Sequence, residues 1–167
     1  VIRAAVRRRL AELEPLVATV CGPESRHWFY DDAGGNSILS TRGVDQGCPL
    51  SPALFAVGIA EPLAELAAAV RRRDPHASVI SYLDDIYIVV DSRHAAEAFD
   101  RARQLFEPLG LELNRSKCTA WSAMGPLNVP EALADLRVPT FKCLGSAMHF
   151  VTAAADYAEG ADRVHVS

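Results

Sequence analysis

Ser81-Tyr82-Leu83-Asp84-Asp85-Ile86-Tyr87 sets two adjacent carboxylates between two β-rich runs, Ser78 to Tyr82 and Ile86 to Asp91. Runs of Val, Ile and Tyr on either side of a polar break predict a tight β-hairpin turning at Leu83-Asp84-Asp85. Neighbouring side chains on a strand point to opposite faces, but a tight turn lets both reach one edge. Like charges held so close cost free energy unless a cation offsets them. Divalent ions bound by carboxylates and phosphate oxygens are the usual solution in phosphoryl and nucleotidyl transfer. Asp is also a common turn former, so an isolated pair is most simply a polar turn. The neighbouring stretches change that reading.

Immediately upstream, a helix is predicted from about Pro52 to Arg72, with Pro62 as a kink. It is fed by Arg42-Gly43-Val44-Asp45-Gln46-Gly47-Cys48-Pro49-Leu50-Ser51-Pro52. The two glycines allow unusual backbone angles and close approach of a ligand to the main chain. Gln46 offers donor and acceptor groups suited to a nucleotide sugar or base edge. Ser51 and Pro52 start the helix, whose positive end suits phosphate. Further back, His27 to Asp31 and Ser37 to Thr41 predict a hairpin around Asp32-Ala33-Gly34-Gly35-Asn36. Ile2, Val6, Leu10, Leu13 and Val17 recur at helical spacing, and Cys21-Gly22-Pro23 is the stop.

Downstream, Ser92 is the expected cap of a helix with an apolar stripe of Ala95, Ala98, Phe99, Ala102, Leu105, Phe106 and Leu109, ended by Gly110. Leu111 to Asn114 and Lys117 to Ser122 read as short extended segments, and Thr140 to Phe150 as a last hairpin turning near Gly145. Helices alternating with hairpins predict an α+β fold: an antiparallel sheet with helices packed on one face.

The 167 residues suffice for one domain with a core, and a composition 50% hydrophobic and 23% charged is that of a globular chain. The four cysteines, Cys21, Cys48, Cys118 and Cys143, form no metal or disulfide spacing, which favours reduced thiols and an intracellular setting. The apolar run Ala53 to Val70 carries Glu61, Pro62 and Glu65, so a core helix is expected rather than a membrane span. A net charge of −4 and a pI of about 5.7 run against a chain that grips phosphates unless the basic surfaces lie elsewhere. Arg7-Arg8-Arg9 and Arg71-Arg72-Arg73 are read first as solvated helix ends. The chain opens on Val1, already inside a helical pattern, which is expected of a fragment with no signal peptide.

Gly110-Leu111-Glu112-Leu113-Asn114-Arg115-Ser116-Lys117 delivers a lysine after a short extended stretch, where it could protonate a leaving pyrophosphate or screen its charge. Together these blocks resemble the reverse transcriptase family. Gly43 to Pro52 looks like its Gln-Gly-x-Pro-Leu-Ser-Pro block, Tyr82 to Asp85 like its Tyr-x-Asp-Asp box, and Gly110 to Lys117 like its Gly-Leu-x-Leu-Asn-x-x-Lys block. Lys142 to Ser146 resembles the Leu-Gly turn of its primer-grip hairpin, most like that of non-LTR retrotransposon enzymes.

The resemblance implies a polymerase palm over residues 1–150, with 151–167 the start of a thumb or connection, or a disordered tail. It implies that Asp84 and Asp85 hold two Mg²⁺ ions (Mn²⁺ as the alternative), with Asp84 the direct ligand, and that Lys117 is the general acid. It places Gln46, Gly47 and Pro49 by the incoming nucleotide, Tyr82 under the primer end, and Phe141, Leu144 and Gly145 on the primer backbone. The implied partners are an RNA template, a DNA primer, deoxynucleoside triphosphates and the fingers and thumb of a parent chain, with no membrane. The implied setting is intracellular, and nuclear for a retrotransposon parent. The family has a further metal-binding Asp on a strand before the first helix here, and Asp31-Asp32, at a hairpin turn, is no substitute. That departure leaves a catalytically dead remnant as an alternative. An RNA-templated RNA polymerase is the other, although such enzymes carry Gly-Asp-Asp where this chain has Leu83.

Overall fold

The computed structural model of the chain describes residues 1–20, 24–40, 44, 47–144, 146–148 and 163–166. Its contacts divide into two units, Val1–Glu61 and Pro62–Ser167.

In the first unit, α1 spans Ile2–Arg9 and α2 spans Glu14–Val20, separated by a 3₁₀ turn over Ala11–Leu13. The apolar spacing predicts one helix here, but the chain leaves helical geometry at Leu10 (φ −142°, ψ 55°). Pro15 is the physical reason: it has no N–H, and in a continuous helix its ring would strike the carbonyl of Ala11. At the second residue of α2 neither problem arises. Val6, Val17 and Leu54 form the local core, with Ile2, Val44 and Val57 packed around them. Gly58 lets α1 come close, because a Cβ there would lie 3.0 Å from Cγ1 of Ile2. Strands β1 (Ser25–Asp31) and β2 (Gly34–Ser40) pair antiparallel, with Asp31 opposite Gly34. The loop is thus Asp32-Ala33, shorter than predicted. Oδ1 of Asp31 accepts the Ala33 N–H at 2.9 Å and Oδ2 accepts from the Asn36 amide at 2.8 Å, and these bonds tighten the turn.

Helix α3, Ser51–Arg73, runs from the first unit into the second with Pro62 inside it. It is long and apolar enough to cross a bilayer. Its mid-helix Glu61 and Glu65 are ion-paired with Arg8 and Arg101. In the second unit, β3 (Ser78–Tyr82), β4 (Asp85–Asp91), β5 (Ala120–Ser122) and β8 (Arg163–Val166) make an antiparallel sheet in the order β3-β4-β8-β5. Strands β6 (Phe141–Cys143) and β7 (Ser146–Met148) form a separate hairpin. Helix α4, Ser92–Phe106, packs on β4 and β8 and buries Ala95, Ala98, Phe99, Ala102 and Phe106, the predicted stripe.

The fold is α+β, as expected, but among the described residues its strands form three small antiparallel sheets rather than one. Residues 151–162 and 167 of the expected thumb or tail lie outside the described residues, and 163–166 are β8, in the middle of the four-stranded sheet. The cap of α4 is Asp91, not Ser92: its carboxylate accepts the Arg93 N–H at 3.1 Å and is gripped by the Arg93 guanidinium at 2.9 and 3.0 Å. This contact holds the Asp91 carboxyl below its ordinary range. Buried Asp74 fastens the end of α3 to the end of β4, accepting the N–H groups of His76 at 2.9 Å and Asp91 at 3.0 Å. Arg71 and Arg73 are used inside the fold, on the Ala77 carbonyl and on Glu97, as helix-end residues. The predicted extended segment at Leu111–Asn114 has no regular structure. Asn114 instead accepts from the Ser116 N–H and hydroxyl and starts a turn, and Arg115 crosses to Asp135 by paired bonds of 2.7 Å.

Candidate active site

The Asp84-Asp85 hairpin is tighter than its sequence suggests. Asp85 pairs with Tyr82 as the first residue of β4, so the loop is Leu83-Asp84 alone. Leu83 has φ 54°, in the left-handed region, and Asp84 is not in the positive-φ region. That conformation normally calls for glycine, and a leucine there stores about 1 kcal/mol. The Ser81 hydroxyl, donating to the Leu83 carbonyl at 3.2 Å, helps to hold it. Tyr82, Asp84 and Asp85 are all exposed, and neither carboxylate makes a hydrogen bond or ion pair among the described residues.

Alternation along β4 puts Asp85, Tyr87 and Val89 on one face. Tyr87 is only 6% exposed and packs with Trp121 and Phe141, whose ring centroids are 5.3 Å apart at 49°. Cys143, Ala123 and Val138 pack around this cluster. The Tyr87 hydroxyl accepts the Leu144 N–H at 3.4 Å. Burial pushes its phenol pKa up, the Leu144 bond opposes this, and the nearby Asp85 charge adds to the rise. Leu144 has φ 48° and is exposed, so each hairpin turns through a leucine in the left-handed region. The fold therefore brings the Asp84-Asp85 hairpin together with the hairpin of Phe141 and Leu144, two site groups separate in sequence. Tyr87, the residue that joins them, had no role in the sequence reading. The signal was its place two residues after Asp85, on the same strand face.

The remaining predicted residues are placed individually. Lys117 is exposed, its N–H bonded to the Asn114 carbonyl at 2.8 Å, and its amine makes no bond or ion pair among the described residues. Gly47 has φ 88° with open space around it, and Pro49 is exposed just before α3. Gln46 and Gly145 lie outside the described residues, as do Arg42, Gly43 and Asp45.

The family profile for reverse transcriptase (RNA-dependent DNA polymerase) matches residues 11–148. The chain belongs to this family. It is 27% identical over 123 residues, 73% of its length, to the retrotransposable element SLACS 132 kDa protein of Trypanosoma brucei gambiense, and covers 10% of that protein. It is 33% identical over 85 residues to Protein P of woodchuck hepatitis B virus (isolate w64/pWS23), covering 50% of this chain and 15% of that one. Protein P of hepatitis B virus genotype D subtype adw (isolate United Kingdom/adyw/1979) is 32% identical over 85 residues, covering 50% of this chain and 11% of that protein. The chain thus spans only about a tenth to a seventh of the curated relatives it matches. No solved structure matches it. Reverse transcriptases as a family work on a nucleic-acid template and primer with nucleotide substrates and divalent metal ions.

Asp84 and Asp85 fit a divalent metal ion in kind: hard oxygen donors, exposed and without competing partners among the described residues. They do not complete a site, because no cluster of three or more His, Cys, Asp or Glu side chains that could hold a metal exists among the described residues. An ion here would draw its other ligands from water, nucleotide phosphate and a further carboxylate.

Proposed function

We propose that this reverse transcriptase domain is the palm of an RNA-directed DNA polymerase, extending a DNA primer on an RNA template with deoxynucleoside triphosphates. The observation that carries the reading is the exposed Asp84-Asp85 pair at a two-residue turn, without a hydrogen-bond or ion-pair partner among the described residues and inside the stretch matched to the family. An unpaired carboxylate pair on a strained turn contributes little to folding, and metal binding accounts for its charge. Asp84 and Asp85 would hold Mg²⁺, with Mn²⁺ able to replace it. The ions would supply a more acidic primer 3′ hydroxyl and stabilise charge at the α-phosphate.

The chain's own groups do the positioning. Tyr82, exposed beside the turn, would support the primer end, and Phe141 and Leu144 would hold its backbone. Gly47 and Pro49, with Gln46, would border the incoming nucleotide. Lys117 would give a proton to the leaving pyrophosphate.

Because the described carboxylates at the site come from one turn, these 167 residues alone should not polymerise. A second aspartate source, such as the family's additional strand, would complete the site. The test is extension of a DNA primer on RNA by a full-length protein containing this domain, set beside the isolated chain. Deoxynucleotide incorporation only in the longer protein is expected. Robust extension by the isolated chain, or a preference for ribonucleotides, would overturn this reading.

A further inference from the structure

We infer that Tyr87 is a positioning residue that ties the Leu144 turn to the Asp84-Asp85 turn, so that the primer end and the metal carboxylates keep a fixed spacing. The inference rests on the proposed roles of those two turns. In-line nucleotide transfer needs the primer 3′ oxygen placed against the metal site to a fraction of an ångström, and misplacement by about 1 Å costs about 10²-fold. A primer held by one hairpin and metals held by another require a stiff connection between the two hairpins.

Tyr87 supplies it twice over. Its ring sits in the buried cluster with Trp121 and Phe141, and so fixes the base of the second hairpin on the face of β4 that carries Asp85. Its hydroxyl reaches further, to the N–H of Leu144 at the turn itself. Only Ile86 separates Asp85 from Tyr87, so displacement of the Leu144 turn passes directly to the strand that starts at Asp85. Leu144 is exposed with φ 48°, a backbone state that needs outside support, and the Tyr87 hydroxyl is such a support. A phenylalanine would fill the cluster equally well. The hydroxyl, not the ring, is therefore the part that packing does not explain.

Tyr87→Phe in the full-length enzyme isolates the hydroxyl, and Asp84→Asn is made in parallel. Hydrogen–deuterium exchange, resolved to the Leu144 amide by fragmentation, reads the tie without reference to activity. Single-turnover incorporation reads its consequence. Tyr87→Phe should speed exchange at Leu144 and lower the rate of the chemical step about 2- to 10-fold, the worth of one neutral hydrogen bond. The affinity for the incoming nucleotide should stay the same. A merely structural loss would lower the active fraction and leave the rate of the surviving enzyme unchanged. Unchanged exchange at Leu144 overturns the tie. Faster exchange with an unchanged rate, or a loss confined to the active fraction, overturns the positioning role. If Asp84→Asn keeps full activity, the proposed metal site has failed and the inference falls with it, whatever the exchange shows.

Discussion

Replacing Asp74 by alanine removes one buried carboxylate that accepts two backbone N–H groups, from His76 at 2.9 Å and Asp91 at 3.0 Å. Each hydrogen bond to a charged group is worth about 1.5–3 kcal/mol, and some of that returns as the freed N–H groups find water. A loss of about 3 kcal/mol follows, large against the ~5–15 kcal/mol that holds a typical domain together. Asp74→Asn keeps one acceptor oxygen and should lose about half as much. Urea denaturation of the purified protein is the assay: with a slope of about 1–3 kcal/mol/M, the midpoint for alanine should fall by about 1–3 M. The damage should be shared by β4 and α4, because the Asp91 N–H lies where one ends and the other begins. A midpoint shift equivalent to less than ~0.5 kcal/mol, the size of an ordinary surface substitution, would refute the view that Asp74 fastens α3 to β4.

The Asp91 cap gives a pH prediction. Its carboxyl is held low by Arg93, so the contribution of its charge is fully present above the unfolded value near 3.8 and is lost as pH falls through the lower folded value. Asp91→Asn keeps a good cap but no charge, and should cost about 0.5–1 kcal/mol at neutral pH, with wild type and variant converging below pH 3.8. A gap that persists in acid would show that the charge is not the cause. Lys117→Ala in the full-length enzyme should slow the chemical step by about 10²–10⁴-fold without abolishing it. An unchanged single-turnover rate would make Lys117 a surface cation.

The sequence revealed most where structure is local. The alternation of Ser78–Tyr82 with Ile86–Asp91 marked the β3–β4 hairpin, and the spacing from Ala95 to Phe106 marked the buried face of α4. It misled where one residue outweighed a pattern: Pro15 divides the first helix although the apolar spacing runs through it, and Asp91 takes the capping place expected for Ser92. It was silent where pairing is long-range. Ile88 stands opposite Val166, 78 positions away by their numbering, and no turn chemistry encodes such a ladder. The same holds for the site. Asp84 and Asp85 were legible because a charged pair between two strands is locally anomalous. Tyr87 was not, since an aromatic residue in a strand is ordinary until Trp121, Phe141 and Leu144 are seen to converge on it.

Asp84→Asn, assayed by primer extension on RNA in the full-length protein, tests the central claim most directly. The Asp84 side chain makes no hydrogen bond or ion pair among the described residues and is exposed, so its loss should leave the unfolding midpoint unchanged. Removing a group that stabilises charge only in the transition state costs at least about 10²-fold in rate. A fully folded, nearly inactive variant is the result the account predicts, whereas near-normal extension by the same variant would contradict it.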